Sequence, residues 1–285
     1  ATTEIYTLSL HDALPICAPN SVRRVGLGPR VTNVTATPTA PTANQPVTVT
    51  ATITGQTTAQ LLYRIDFGAE QTMTMTAAGA DTYTANIPGA AAGHLLRYRV
   101  RATNATATTL VPRVDDSVVY RGVVVAHGIT SAIPVIEWFI SDADYNLMVA
   151  NPQDEIIRFG AIAYNGQVID NVEMNIKGHA SRQNPKVSWK FHTPQGYDLS
   201  MPGLLVDPVD EFDLQADWAD KAHGRAIVSW DAYERAGNVP DHQMFPVRAQ
   251  RNGAFQALYN LQDTYDGTWR EHWGYDDDQF FEAET

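Results

Sequence analysis

The sequence predicts an all-β sandwich followed by an α+β domain. Three observations lead there. Residues 31 to about 120 are rich in Thr, Val and Ala, poor in charge, and alternate apolar with polar residues in short runs. Beyond Ser131 the composition shifts, with Trp, Asp and Asn rising while Thr falls. The 285 residues suit two domains of roughly 150 residues each.

Composition narrows the function. Hydrophobic residues make up 44% of the chain, enough for packed cores. A net charge of -12 repels phosphate backbones, so nucleic acid is not an expected partner. No apolar run approaches the roughly 18 residues that a membrane span needs. The single cysteine, Cys17, excludes an internal disulfide framework.

Residues 1–16 read ATTEIYTLSLHDALPI and are identified as the conceptual translation of a common sequencing-adapter oligonucleotide. Cys17 begins with the base left over from it, so residues 1–17 are expected to be an artefact and are set apart from the fold. Residues 18–30 read as a leader.

The sandwich is expected over 31–120. Its strand candidates are 31–37, 47–54, 61–66, 71–76, 82–87, 95–102 and 108–111, separated by turn residues such as Pro88–Gly89 and Gly93–His94. Seven short strands in about 90 residues fit an immunoglobulin or fibronectin type III sandwich. Leu96, Tyr98 and Val100 alternate with Arg97, Arg99 and Arg101, which predicts one buried face and one wet face. The arginines read as a solvated stripe, with a ligand-facing stripe as the alternative. A linker over 121–132 follows. The apolar run 118–125, which overlaps the start of this linker, is a candidate further strand pairing with the next domain.

In the second domain, Ser141 or an Asp caps a short helix over 141–150. Asn165–Gly166 joins two strand-like runs within 156–176 as a type I′ hairpin. Residues 187–191 predict a third strand. Residues 217–237 predict a helix capped by Asp217, with Ala222, Ala226, Trp230 and Tyr233 on its buried face. Strands at 243–250 and 254–261 flank Asn252–Gly253, a register that sets Val247 opposite Leu258.

Three runs in this half carry a family resemblance. NVEMNIKGHASRQNPKVSWKF (171–191) holds a Lys-Gly-x-x-Ser-Arg loop before a Pro-Lys-x-Ser-Trp-Lys strand. EFDLQADWADKAHGRAIVSWDAYERAGNVP (211–240) reads as strand, capped helix and Gly-x-x-Pro exit. VRAQRNGAFQALYNLQDTYDG, from Val247 on, reads as strand, turn and strand, with an acidic segment after it. In order and spacing these resemble the N-terminal half of CotH (spore-coat-protein-H) kinase domains, over 133–285. The resemblance implies an atypical kinase N-lobe that uses ATP and Mg²⁺, in a secreted or cell-surface bacterial protein acting on Ser or Thr of extracellular proteins.

It also implies site residues. Gly178, Ser181 and Arg182 lie on a loop over the nucleotide phosphates, as backbone N–H groups and an Arg fork suit phosphate oxygens. Lys190 pairs with phosphate, with Lys186 as the alternative. Arg225 or Glu234 orients that lysine. Gln262 and Asp263 fall near the hinge that holds adenine. The sequence departs from the family pattern at His179–Ala180 in the loop, at Ala254–Ala257 and at Gln262–Asp263. The family's catalytic loop and metal-binding carboxylates are expected downstream of Thr285, so no catalytic residue is assigned and the chain, read as a fragment, is expected to be inactive alone.

Asp276–Asp277–Asp278 reads as a solvated turn rather than a metal site, and His179, His192, His223, His242 and His272 lack metal-ligand spacing. Two alternatives stand beside the kinase reading. One is a non-catalytic extracellular binding or adhesion protein with a degenerate CotH-like domain. The other is a carbohydrate-binding module built on Trp218, Trp230, Trp269 and Trp273.

Overall fold

The computed structural model describes residues 28–237 and 240–275. The adapter-like stretch, most of the leader, the Asp276–Asp278 turn and the strand expected over 279–284 lie outside the described residues.

The first half is a β-sandwich. One sheet orders β1 (Arg30–Thr37), β2 (Val47–Thr54), β6 (Thr82–Ile87) and β5 (Thr76–Gly79). The other orders β4 (Gln71–Thr74), β3 (Thr58–Ile65), β7 (Leu95–Thr103) and β8 (Thr108–Val111). Alternation does what the sequence predicts: Val47, Val49, Ala51 and Ile53 of β2 are fully buried opposite Leu61, Leu96 and Val100. The strand expected at 71–76 is instead divided between the two sheets. Met75 stands at the crossover and buries its side chain in the core.

The 121–132 linker needs correction, because β9 (Arg121–Val124) belongs to the sandwich. β8 pairs only with Val100–Thr103 of β7, which leaves the edge at Leu95–Tyr98 open. β9 fills that edge, from Leu95↔Val124 to Tyr98↔Arg121, so the 118–125 run pairs with the first domain rather than the second.

The second half is a closed seven-stranded barrel. Its strands are β10 (Val135–Phe139), β11 (Arg158–Tyr164), β12 (Gln167–Lys177), β13 (Ser188–His192), β14 (Glu211–Gln215), β15 (Met244–Arg251) and β16 (Ala254–Asp263). The order is β10-β11-β12-β13-β14-β16-β15, and a parallel pairing of β10 with β15 closes the ring. Closure leaves no free sheet edge. Inward residues fill the interior, led by Trp138, Trp189, Phe191 and Phe212. Trp138 meets Trp189 at 4.8 Å and Phe191 edge-on at 5.6 Å, and Phe191 stacks on Phe212 at 5.0 Å. Strands dominate this domain, which moves it from the expected α+β balance toward a β-rich fold.

Among the described residues three short α-helices sit outside the barrel: α1 (Asp142–Ala150), α2 (Arg225–Ala236) and α3 (Gly267–Trp273). α1 is capped as expected, with Ser141 Oγ accepting the Asp144 N–H at 3.1 Å. The helix expected from Asp217 begins eight residues later. Asp217 adopts a positive φ of 44° and turns its carboxylate to Asn260. Asp220 does the capping instead, accepting the N–H groups of Gly224 and Arg225 at 3.0 and 2.9 Å. Ala222 therefore falls outside α2, and Tyr233 is exposed rather than buried. Only Ala226, Ile227 and Trp230 of α2 are half-buried.

The β15–β16 register also differs by one. A bulge between Ala249 and Gln250 sets Val247 opposite Tyr259 and Arg248 opposite Leu258. The extra residue keeps Val247 and Tyr259 buried together and leaves Leu258 outside.

The sandwich rests on the outer face of β10–β12. Leu95, Phe139, Ala161 and Ala163 form the contact, with Val124 and Val168 packed against them. Arg97 corrects the wet-stripe expectation: it is buried, and its guanidinium meets Asp170 of β12 at 2.6 Å. Asp170 also accepts the Tyr120 N–H at 3.0 Å. The Arg97 guanidinium lies over Phe67 and Tyr120, 5.0 and 4.7 Å from their ring centres. Burial pushes the Asp170 carboxyl above its ordinary range, against the opposing pull of Arg97. Arg99 and Arg101 keep nearer the surface, paired with Glu70 and Gln60.

Backbone approaches make the junction tight. A Cβ at Gly122 of β9 would stand 2.4 Å from Val168 Cγ1. Gly93 and Gly253, both at positive φ, meet backbone to backbone, and a Cβ on Gly253 would lie 2.7 Å from the Gly93 carbonyl oxygen.

Replacing Asp170 with Asn leaves the Arg97 charge buried without a counterion, so Asp170→Asn should cost about 3–5 kcal/mol in denaturant unfolding. The Arg97→Met/Asp170→Leu double variant should fall closer to the native chain than either single change. Equal stability of Asp170→Asn and the native chain would contradict the assignment.

Candidate functional site

The expected phosphate loop leaves β12 at Lys177 and returns at Ser188. Gly178 opens it at φ 105°, with Ser181 Oγ where a Cβ would otherwise stand. One 3₁₀ turn, Ala180–Gln183, presents Arg182 inward and Ser181 to solvent. Pro185 then directs the chain into β13.

Arg182 and Lys186 come together on a pocket of about 530 Å³ between this loop, α1 and the turn-proximal part of the β15–β16 hairpin. Tyr145, Gln256 and Tyr259 complete the wall the argument uses. The Arg182 side chain is 10% exposed and bonds Glu155 at 2.9 Å through one terminal nitrogen. Its Nε is buried without a partner. Lys186 donates to the Ala216 carbonyl at 2.8 Å and lies 4.7 Å from the Tyr259 ring centre. Burial lowers the Lys186 pKa, opposed by the Asp217 carboxylate. An anion entering here would meet two cationic donors, one of which holds an unspent N–H.

The other expected residues do not join this pocket. Lys190 projects from the outer face of β13 and pairs with Glu211 at 2.5 Å. On that face Lys177 pairs with Asp213, a fully buried carboxylate that burial pushes above its ordinary range. Arg225 opens α2, largely exposed, and reaches Asp220 at 3.4 Å rather than any lysine. Glu234 lines a different cleft. Gln262 lies across from Asp213 in the β14–β16 pairing. Asp263 is buried and committed to His242 Nδ1 at 2.7 Å and to the Gln243 N–H at 3.1 Å. Both bonds fall on Oδ1, and Asp263 lies outside the Arg182–Lys186 pocket.

Reading the sequence missed Glu211, Asp213 and Lys177 as ion-pair partners. Alternation in EFDLQ is the available signal, since Phe212 and Leu214 inward require Glu211 and Asp213 outward. Among the described residues no group of three or more His, Cys, Asp or Glu is gathered to hold a metal.

The far end of the barrel carries aromatic and acidic groups. His242 is flanked by Trp230 at 5.0 Å and Tyr265 at 4.0 Å. Asp266 caps α3 through the Trp269 N–H at 2.8 Å.

No family model matches the chain, and no curated protein matches it. A solved structure described as a Br derivative of BhCBM56 is similar at 10% identity over 32% of this chain and 88% of that chain, with a TM-score of 0.25. An overlap that slight bears on neither fold nor function. The class that the fold and site define is a β-sandwich joined to a closed β-barrel with a basic pocket.

Burial, with Asp210 nearby, raises the Asp266 pKa to about 6. A carboxyl whose folded pKa is raised stabilises the fold below its unfolded pKa of about 4, and that contribution is lost as pH rises through about 6. Asn caps equally well without titrating, so the melting-temperature gap between Asp266→Asn and the native chain should widen in favour of the variant from pH 4 to pH 7. A gap independent of pH would contradict the assignment.

Proposed function

We propose that this chain is part of a secreted or cell-surface atypical protein kinase of the CotH type, and that its barrel domain, as the N-lobe counterpart, binds the polyphosphate of ATP. The observation that carries the reading is the meeting of Arg182 and Lys186 on one polar pocket, with Arg182 Nε buried and unpartnered. Both residues come from the loop and strand entry that resemble the family, and Gly178 supplies the positive φ from which that loop departs.

The fit to ATP is partial. Arg182 and Lys186 suit phosphate oxygens, the guanidinium as a planar fork and the ammonium as a point charge. The Gln256 amide N–H donates to the Tyr145 hydroxyl at 2.9 Å, and these two polar side chains form one wall of the pocket. Gln262 and Asp263 line no part of the Arg182–Lys186 pocket, so they add no adenine contact to it. Mg²⁺ finds no matching carboxylate group among the described residues, so no step is routed through it. ATP, when bound, supplies the γ-phosphoryl group. The residues of this chain bind and orient its phosphates, and the acceptor in the proposal is a Ser or Thr hydroxyl on an extracellular protein.

Calorimetric titration tests the reading. ATP and inorganic pyrophosphate should bind, and Arg182→Ala and Lys186→Ala should each weaken both by about tenfold. Arg225→Ala should leave both unchanged. Absence of any nucleotide or pyrophosphate binding would overturn the kinase reading and favour the non-catalytic binding protein.

A further inference from the structure

A cleft of about 600 Å³ opens at the other end of the β15–β16 hairpin, between α2, the start of β15, the 203–206 loop and α3. Its walls combine two kinds of group. Trp230, Met244, Phe245 and Trp273 supply apolar and aromatic surface, and Asp231, Glu234 and Asp241 supply carboxylates.

These carboxylates are not equivalent. Asp231 is taken by Arg235 at 2.8 Å. Neither Glu234 nor Asp241 pairs with a cationic side chain among the described residues. Asp241 is the informative one. It is 7% exposed, yet it lines the open cleft, and no side-chain donor reaches its carboxylate. The residue is mostly covered, but its carboxylate opens onto the cleft, where a cation would find it unpaired. Burial, then repulsion from Glu234 and Asp263, hold its carboxyl above the ordinary range. The imidazoles at the cleft are already engaged: His242 Nδ1 holds Asp263, and His272 Nδ1 meets Asp207 at 3.0 Å. Trp269 Nε1 donates to the Asp241 backbone carbonyl at 2.8 Å, which fixes this residue's place in the wall.

We infer that this cleft binds a basic side chain on an apolar stem, a lysine or arginine presented by a peptide, with its charge between Asp241 and Glu234 and its stem along Trp230. The reasoning is charge complementarity beside an apolar wall. A cation there relieves the unpaired carboxylate, while the methylenes cover apolar wall that water now meets. The indole of Trp230 adds a favourable face for the cation. A neutral sugar would use the aromatic surface but leave the Asp241 charge uncompensated. The inference is independent of nucleotide binding at the Arg182–Lys186 pocket, because the two sites share no wall residue.

The test is a calorimetric and tryptophan-fluorescence titration of the full chain. The probes are a lysine-containing pentapeptide, Nα-acetyl-lysine methylamide, the uncharged Nα-acetyl-norleucine methylamide, and a neutral hexasaccharide. Both lysine probes should bind, the pentapeptide as the presented form and the single residue as the free amine. Norleucine and the sugar should not. Asp241→Asn should weaken lysine binding by about tenfold or more and Glu234→Gln by a smaller factor, with Asp231→Asn unchanged. Should Asp241→Asn fail to fold by thermal melting, Glu234→Gln, on the exposed face of α2, carries the comparison. Equal binding of norleucine, preference for the sugar, or lysine binding indifferent to both carboxylates would overturn the inference.

Discussion

The Arg97–Asp170 ion pair fixes how the two halves of this chain meet. A guanidinium from the sandwich and a carboxylate from the barrel are both withdrawn from water, 2.6 Å apart, under the ring of Tyr120. Desolvation alone would make that burial prohibitive. It is offset by the mutual charge, by the Tyr120 N–H on Asp170, and by the two aromatic faces against Arg97. The geometry also demands that backbones approach closely, which Gly122 over Val168 and the Gly93–Gly253 contact permit. Since Gly253 is the turn of the β15–β16 hairpin, the sandwich abuts the same hairpin that walls both the basic pocket and the acidic cleft.

Barrel closure governs the chemistry that the second domain can present. With Trp138, Trp189, Phe191 and Phe212 filling the interior, no ligand enters the lumen. Polar function is therefore confined to the outer face and to the loops at either end. The outer face is spent on internal ion pairs, Lys177 with Asp213 and Lys190 with Glu211. What remains are the two ends, one offering the unpartnered Arg182 Nε–H beside Lys186 and the other the carboxylates of Asp241 and Glu234, which pair with no cationic side chain among the described residues. The two ends of one hairpin thus carry opposite charge, which is the basis of the two proposed sites.

Local rules made much of the fold legible. The strands at 47–54 and 82–87 and both Asn-Gly turns follow from alternation and turn chemistry that need no tertiary information. The Ser141 cap is equally local. Long-range facts were hidden. Nothing within RYRVRAT distinguishes Arg97 from Arg99, because the distinction is made by Asp170, 73 positions away. Asp217 looked like a helix cap until Asn260 claimed it, and a single bulge moved Val247 from Leu258 to Tyr259. Barrel closure depends on β10 meeting β15 in parallel, a pairing no short window contains. The site was legible to the same extent: Arg182 and Lys186 share a short loop and converge, whereas Lys190 and Asp263 were claimed by Glu211 and His242 from other strands and loops, and Arg225 by Asp220 in the turn before its helix.

Hydrogen–deuterium exchange with and without pyrophosphate tests the central claim, that anion recognition resides in the loop between β12 and β13. The account predicts slowed exchange across 180–187 and 256–259, with 241–246 unchanged. Protection centred on 241–246, or none at 180–187 at saturating pyrophosphate, would contradict it.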